Sequence, residues 1–248
     1  MSGGAGLNDN YLDVMEQYEG GTLEVRRGRG AWIFERSDGV KLLKEYRGSV
    51  MRLEFEVPVL KGLKAPGIGS VDQYVRNRQG ELVTSGEDGT KYVLKDWFVN
   101  RECNLKDSRE ILTAVTWIAR LHQALREIAW QGEWDLASMH SPGLSEEMQR
   151  HTREMKRVRT FVSNKRKKSQ FELCVMQNFS EFYEQALEAQ QGLGILEKDL
   201  EEVRFFLCHG DLNQHHLLIG NGDVAVIEFN QMHRGNQMAD LYHFMRKV

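Results

Sequence analysis

"CHGDLNQHHLLI", residues 208–219, is the stretch on which the reading of this chain turns. His209, Gly210 and Asp211 stand together, followed five residues after Asp211 by His216. Two β-rich runs come next, folded back at Asn221-Gly222-Asp223, where Asn-Gly marks a tight hairpin turn. The second run ends in Ile227-Glu228-Phe229. A hairpin of this kind fixes two carboxylates relative to each other, Asp211 before it and Glu228 after it.

Paired carboxylates and a cation are what phosphoryl transfer requires. The reaction needs a base or positioner for the acceptor hydroxyl, hard oxygen ligands for magnesium, and a positive charge on the phosphates. Asp211 fits the first role and Glu228 the second. Upstream, "TLEVRRGRGAWIFERSDGVKLLKEY" reads as strand pairs turning at "RRGRG" and at Ser37-Asp38-Gly39. Lys44 in this run could reach phosphates, and the backbone amides of the turn holding Gly28 and Gly30 could lie over a nucleotide. "VMRLEFEVPVLKGLK" returns to helical spacing, and Glu56 on it could orient Lys44. Pro58 is tolerable there only in a first turn or at a kink.

The elements sort into two regions. Residues 15–98 read as a small antiparallel sheet with one helix, and residues 99–248 as mostly helix around the loop and hairpin. Asp107 caps "SREILTAVTWIARLHQALRE", with Glu110 completing a capping-box variant. Ile111, Val115, Ile118, Leu121 and Leu125 make its core-facing stripe. A loop with Pro142 follows, then polar helix over 144–190. Asp240 is a plausible N-cap for a final helix, and residues 1–14 are a disordered or helical lead. The chain stops in mid-helix, so a longer protein with further helices is expected.

Composition removes several classes. A net charge of −3 sets up no global field for nucleic acid, and no apolar run approaches a membrane span. No secretion signal opens the chain. Three scattered cysteines suit reduced thiols in a cytosolic setting. Residues 150–168 hold nine Lys/Arg and one Glu, which reads first as a solvated helix face. Cys208, His209, His215, His216 and His233 lack the paired spacing of a zinc site, and adjacent strand residues would turn His215 and His216 to opposite faces.

This layout resembles the aminoglycoside phosphotransferase and choline kinase branch of the protein-kinase-like superfamily. That branch carries His-Gly-Asp, four residues, Asn, and then Ile-Asp-Phe or Ile-Asp-Trp one hairpin later. "IARLHQAL" (118–125), the linker-like "YVLKDWF" (92–98) and Asp240 in "ADLYHF" are similar to further family segments. More narrowly, "RRGRGAWIFERSDGVKLLKEY", "VDQYVRNRQGEL", "DGTKYVLKDWF" and "HGDLNQHHLLI" resemble CotS-type spore coat proteins. The resemblance implies a two-lobed kinase-like α+β fold. It implies ATP or GTP with magnesium, or manganese in its place, contacted by Lys44, Glu56, Gly28, Gly30 and the linker at Asp96 and Trp97. It also implies Asp211 and His209 in the catalytic loop, with His209 a buried brace, and metal held by Glu228 and His216. Coat proteins or an anionic small molecule are the implied partners, in the mother-cell cytoplasm or the spore coat.

Two positions depart from the family pattern. His216 offers imidazole nitrogen where Asn offers a hard amide oxygen, and nitrogen suits magnesium poorly. Glu228 carries its carboxylate one methylene further out than Asp. Either the protein is a working phosphotransferase, or it has kept the fold and lost most of the reaction.

Overall fold

The computed structural model describes residues 11–64, 68, 70–134, 139–140, 144–199, 205–220 and 223–248. The lead over 1–10, Pro142 and the turn pair Asn221-Gly222 lie outside them. The chain divides into two compact units, residues 1–139 with 206–248, and residues 140–205.

The first unit begins with a single helical turn, α1 (Leu12–Met15), then β1 (Thr22–Gly28), β2 (Ala31–Arg36) and β3 (Gly39–Glu45). Helix α2 (Val50–Lys64) follows, and then five short strands: β4 (Ser70–Val71), β5 (Tyr74–Val75), β6 (Thr84–Ser85), β7 (Lys91–Asp96) and β8 (Arg101–Glu102). The main sheet runs β1-β2-β3-β7-β5, with β6 also on β7, and every pair is antiparallel. Helix α2 passes through Pro58. Leu53, Phe55, Val59, Leu60 and Leu63 on it are fully buried. At roughly 1.5–3 kcal/mol for each such side chain, their burial outweighs the ~3 kcal/mol that an interior proline costs.

Helix α3 (Ser108–Glu127) starts as the cap requires, with the Asp107 carboxylate accepting from the Arg109 amide at 2.9 Å. Glu110 does not close the expected box. Its carboxylate accepts from the Asn104 amide and from the Arg101 guanidinium, and the Asp107 amide donates to the Asn104 carbonyl instead. Ile118, Leu121 and Leu125 are buried, and Ile111 and Val115 pack at the margin of the same core. With α2, β10 (Leu217–Gly220) and β11 (Asp223–Val226), they form the largest hydrophobic cluster. β10 and β11 pair as the expected hairpin, and the sheet order is β4-β11-β10-β8. β9 (Phe206–Cys208) pairs with β12 (His233–Gly235) beside it.

The last helix, α6, spans Met238–Met245. Asp240 therefore lies inside its first turn and is not its N-cap. His215 and His216 lie in a turn before β10, not in the strand, because the Asn213 side chain accepts from the His215 amide at 2.9 Å and bends the chain there.

The second unit is a pair of helices, α4 (Leu144–Ser163) and α5 (Gln170–Asp199). Thr152 meets Gln190 and Lys165 meets Glu172, so the two run antiparallel. Ser169 and Glu172 satisfy each other's backbone amides, a reciprocal capping box that starts α5. Among the described residues, no helix is long and apolar enough to cross a membrane.

Candidate functional site

The 208–216 loop is held from below by Asp240. One of its carboxylate oxygens accepts the His209 amide at 2.8 Å and the other the Gly210 amide at 2.8 Å. His122 from α3 adds a bond at 3.2 Å. Burial acts to raise the Asp240 pKa. The bonds from His122 and the two amides outweigh it, with the His209 ring adding to their pull, so the carboxyl stays ionised below its usual range.

His209 is fully buried. The Asp211 amide can only donate, so Nδ1 of His209 accepts it at 3.2 Å, and Nε2–H donates to the Ile227 carbonyl at 3.0 Å. Burial pushes its pKa down to about 4, so the ring is neutral at neutral pH. It braces the loop against the hairpin and does not face solvent. Asp211 itself is half exposed, with one oxygen taking the Asn213 amide at 3.2 Å. The Nδ1 of His216 lies 2.7 Å from the Asp211 carbonyl, which can only accept. That bond places the His216 proton on Nδ1.

Lys44 and Glu228 meet. The ammonium lies 2.9 and 2.8 Å from the two carboxylate oxygens. Burial would raise the Glu228 pKa, but the bond and charge of Lys44, with Lys95 and His216 nearby, hold it below the usual range. Glu56 does not orient Lys44. Its oxygens are taken by Arg52 one turn earlier on α2, at 2.6 Å, and by the Tyr74 hydroxyl at 2.5 Å. Lys44, Glu228, Glu56, Arg52 and Tyr74 nonetheless line one cavity of about 290 Å3, together with Tyr46, Lys95 and Asn230; Asp211 and His216 are not in its lining.

Sequence reasoning missed what stands behind Glu228. Asp72 and Lys95 form a buried ion pair at 2.5 Å, and Asp72 also accepts the Glu228 amide at 3.0 Å. That bond helps hold Glu228 at φ +67°, a conformation uncommon for a residue with a side chain. Lys95 lies over the Tyr74 ring at 4.5 Å. Burial raises the Asp72 pKa despite Lys95, and its Oδ1 has no hydrogen-bond partner among the described residues. A charge inside each of the short runs "SVDQY" and "YVLKDW" was the available signal. Nothing in the sequence paired the two.

The expected nucleotide contacts are engaged elsewhere. The Asp96 amide donates to Gln73 and the Trp97 amide to Val40, at 2.8 and 2.9 Å. The Asp96 carboxylate takes Lys41 at 2.8 Å. At the turn, Gly28 pairs with Ala31 and Gly30 has φ +70°. Arg29 between them reaches the His215 carbonyl at 2.9 Å and pairs with Glu102, which also binds the His215 ring at 2.5 Å. Beneath the turn, Ala31, Ile33 and Leu42 of the main sheet pack with Trp97 and with Leu218, Ala225 and Ile227 of the hairpin and its end. None of the seven is more than 8% exposed, so their own side chains fill the space between the two sheets.

A resident magnesium is a poor match for this donor set. It demands oxygen ligands in near-ideal octahedral array. Both Glu228 oxygens face Lys44, and position 216 supplies an imidazole. Among the described residues, no group of three or more His, Cys, Asp or Glu side chains is gathered as a metal site.

The sequence model of the APH phosphotransferase enzyme family matches residues 38–247. No curated protein matches the chain. Among solved structures, it is similar to an aminoglycoside phosphotransferase from Alicyclobacillus acidocaldarius subsp. acidocaldarius DSM 446, with TM-score 0.74 and 16% identity over 99% of this chain and 72% of that one. It is also similar to spectinomycin phosphotransferase APH(9)-Ia in complex with ADP and spectinomycin, with TM-score 0.65 and 13% identity over 93% and 71%. A third is amicoumacin kinase hAmiN in complex with AMP-PNP, Ca2+ and Ami, with TM-score 0.58 and 16% identity over 96% and 69%. At these identities the likeness concerns the fold alone.

Proposed function

Because this chain belongs to the APH phosphotransferase enzyme family, we propose that it is a kinase-fold protein of the CotS spore-coat type with a degraded phosphotransfer site. It works by holding a partner in the spore coat or the mother-cell cytoplasm, with weak or no nucleotide turnover. The observation that carries this reading is the filled cleft. Ile33 and Leu42 pack against Leu218 and Ile227, each 3% exposed or less. A purine entering there would have to displace them. The His216 nitrogen and the Glu228–Lys44 pair support the same reading.

The second reading is an active kinase that transfers phosphate from ATP or GTP to a small hydroxylated acceptor. Asp211 is half exposed, which favours it. Asp211 would then be the base, Lys44 the phosphate clamp and Glu228 a metal ligand. The amicoumacin kinase and spectinomycin phosphotransferase relatives were captured with AMP-PNP and ADP.

Thermal shift with ATP and GTP, with and without magnesium or manganese, separates the two by mass action. The degraded-site reading expects no metal-dependent shift and no hydrolysis above that of Asp211→Asn. A metal-dependent shift, with hydrolysis that Asp211→Asn abolishes, overturns it and installs the kinase.

A further inference from the structure

The α4–α5 hairpin has an apolar groove of about 490 Å3 along one face, walled by Met155 and Val158 from α4 and by Val175, Phe179 and Phe182 from α5. The groove is open to water, with Val158 52% and Phe182 59% exposed. Phe161 and Phe171 stand out further near the closed end of the hairpin, at 65% and 77%. Apolar side chains exposed in one contiguous array mark an interaction surface.

The charge around the groove is divided between its walls, basic along α4 apart from Glu154 in the lining and acidic along α5. Residues 150–168 carry nine Lys/Arg and one Glu, whereas residues 170–196 carry four Glu and no Lys or Arg. The Arg159 guanidinium lies 5.0 Å from the centre of the Phe179 ring and the Lys165 ammonium 5.1 Å from that of Phe161, so cations reach the groove and its closed end. Glu172 answers Lys165. Arg157, Arg166 and Lys167 meet no carboxylate among the described residues.

We infer that this face docks an acidic amphipathic helix of a partner protein. Its apolar side chains, three and four residues apart, seat between Val158 and Phe182, and its flanking Glu and Asp meet the cations of α4 and of the 164–168 turn. Helix-in-groove recognition works in this way. A nucleic acid would use the cations and leave the apolar groove wet. A lipid surface would reach the two phenylalanines at the end. The groove lining begins past them and runs from Cys174 to Phe182, about 12 Å along α5 at 1.5 Å per residue, a concave length that suits a helix better than a flat surface. The inference names a partner for the partner-binding reading and rests on it for function. The groove itself is built from residues 151–182, so nucleotide turnover would overturn that reading and leave the groove's binding intact.

The test uses the full chain and a fluorescein-labelled peptide of about 20 residues, with Leu at the a and d positions of its heptads and Glu on its flanks. Binding is followed by fluorescence anisotropy. The acidic probe should bind and weaken with salt, and a Lys-flanked probe of the same pattern should not bind. Phe182→Asp, an exposed change, should weaken binding at least ~10-fold with the circular dichroism unchanged. The triple change Arg157→Glu, Arg166→Glu, Lys167→Glu should do the same and flatten the salt dependence. Equal binding of the acidic and basic probes overturns the inference. So does displacement of the probe by duplex DNA or by phosphatidylglycerol vesicles, or a dimer of the chain that Phe182→Asp splits.

Discussion

At Gly210 the loop passes so close to the following turn that a Cβ would lie 2.0 Å from the Gln231 carbonyl oxygen, at φ +88°. Backbone faces backbone there, so neither side yields cheaply. Gly210→Ala should therefore lower unfolding free energy by ~3 kcal/mol or more, measured by urea titration. A loss under ~1 kcal/mol would show that the loop does not run where it is placed. Its neighbour His209 makes a pH prediction. Burial lowers its pKa in the folded chain to about 4, while the unfolded value is ~6.5. Between those values the unfolded chain takes up a proton that the folded chain refuses. The stability from His209 is thus whole above pH ~6.5 and is lost as pH falls toward 4, by about 3 kcal/mol. His209→Gln keeps a donor for Ile227 and removes the titration. Stability of the variant should fall less between pH 7 and 4 than that of the wild type, and parallel curves would sink the assignment.

The element scale shows what a single sequence could and could not yield. Helix α2 begins and ends where the apolar spacing of 50–64 put it, because Leu53 and Leu60 are core residues whatever Pro58 prefers. Asp107 was legible as a cap, since that bond is local. Its partner Glu110 was not, because Arg101 arrives from outside the helix. The same logic separates Asp240 from the N-cap role, as its oxygens answer amides 30 and 31 residues away. The sequence put Lys44 with Glu56, so its pairing with Glu228 was not foreseen, nor was that of Asp72 with Lys95. Strand periodicity says which face is buried, and it cannot say that two charges will be buried together. The capping box Ser169–Glu172 lay in plain view inside a stretch read only as mostly polar helix. At this scale the turn after β1 makes its own prediction. Arg29 ties it to Glu102 and His215, and the pair is partly exposed, so Arg29→Ala should cost no more than ~1 kcal/mol. Amide exchange across residues 27–32 should nonetheless quicken. Exchange as slow as in the wild type would mean that Arg29 does not fasten the turn.

Across the larger unit, the question is whether the layer between the two sheets is ordinary core or a nucleotide slot closed by its own side chains. The residues are the same in both cases, and static burial does not separate them. Removing volume does. Leu42 sits in the middle of the layer, opposite Ile33 on β2 and Lys95 on β7. Leu42→Ala should destabilise the protein by ~2–5 kcal/mol in either case, since a large buried side chain is lost and the site relaxes only in part. A closed slot has a further property: Trp97 of the linker and Ala31 beside the turn already pack on the layer, so the new space opens between them and the hairpin. Adenosine or ATP should then raise the melting temperature of Leu42→Ala while leaving the wild type unmoved. A tenfold excess of ligand over its Kd corresponds to about 1.4 kcal/mol, well within reach of a thermal shift. Destabilisation with no ligand response at millimolar concentrations would mark the layer as plain core. A wild-type response as large as that of the variant would mean that Ile33, Leu42, Leu218 and Ile227 part readily in solution, and the filled cleft would no longer argue against turnover.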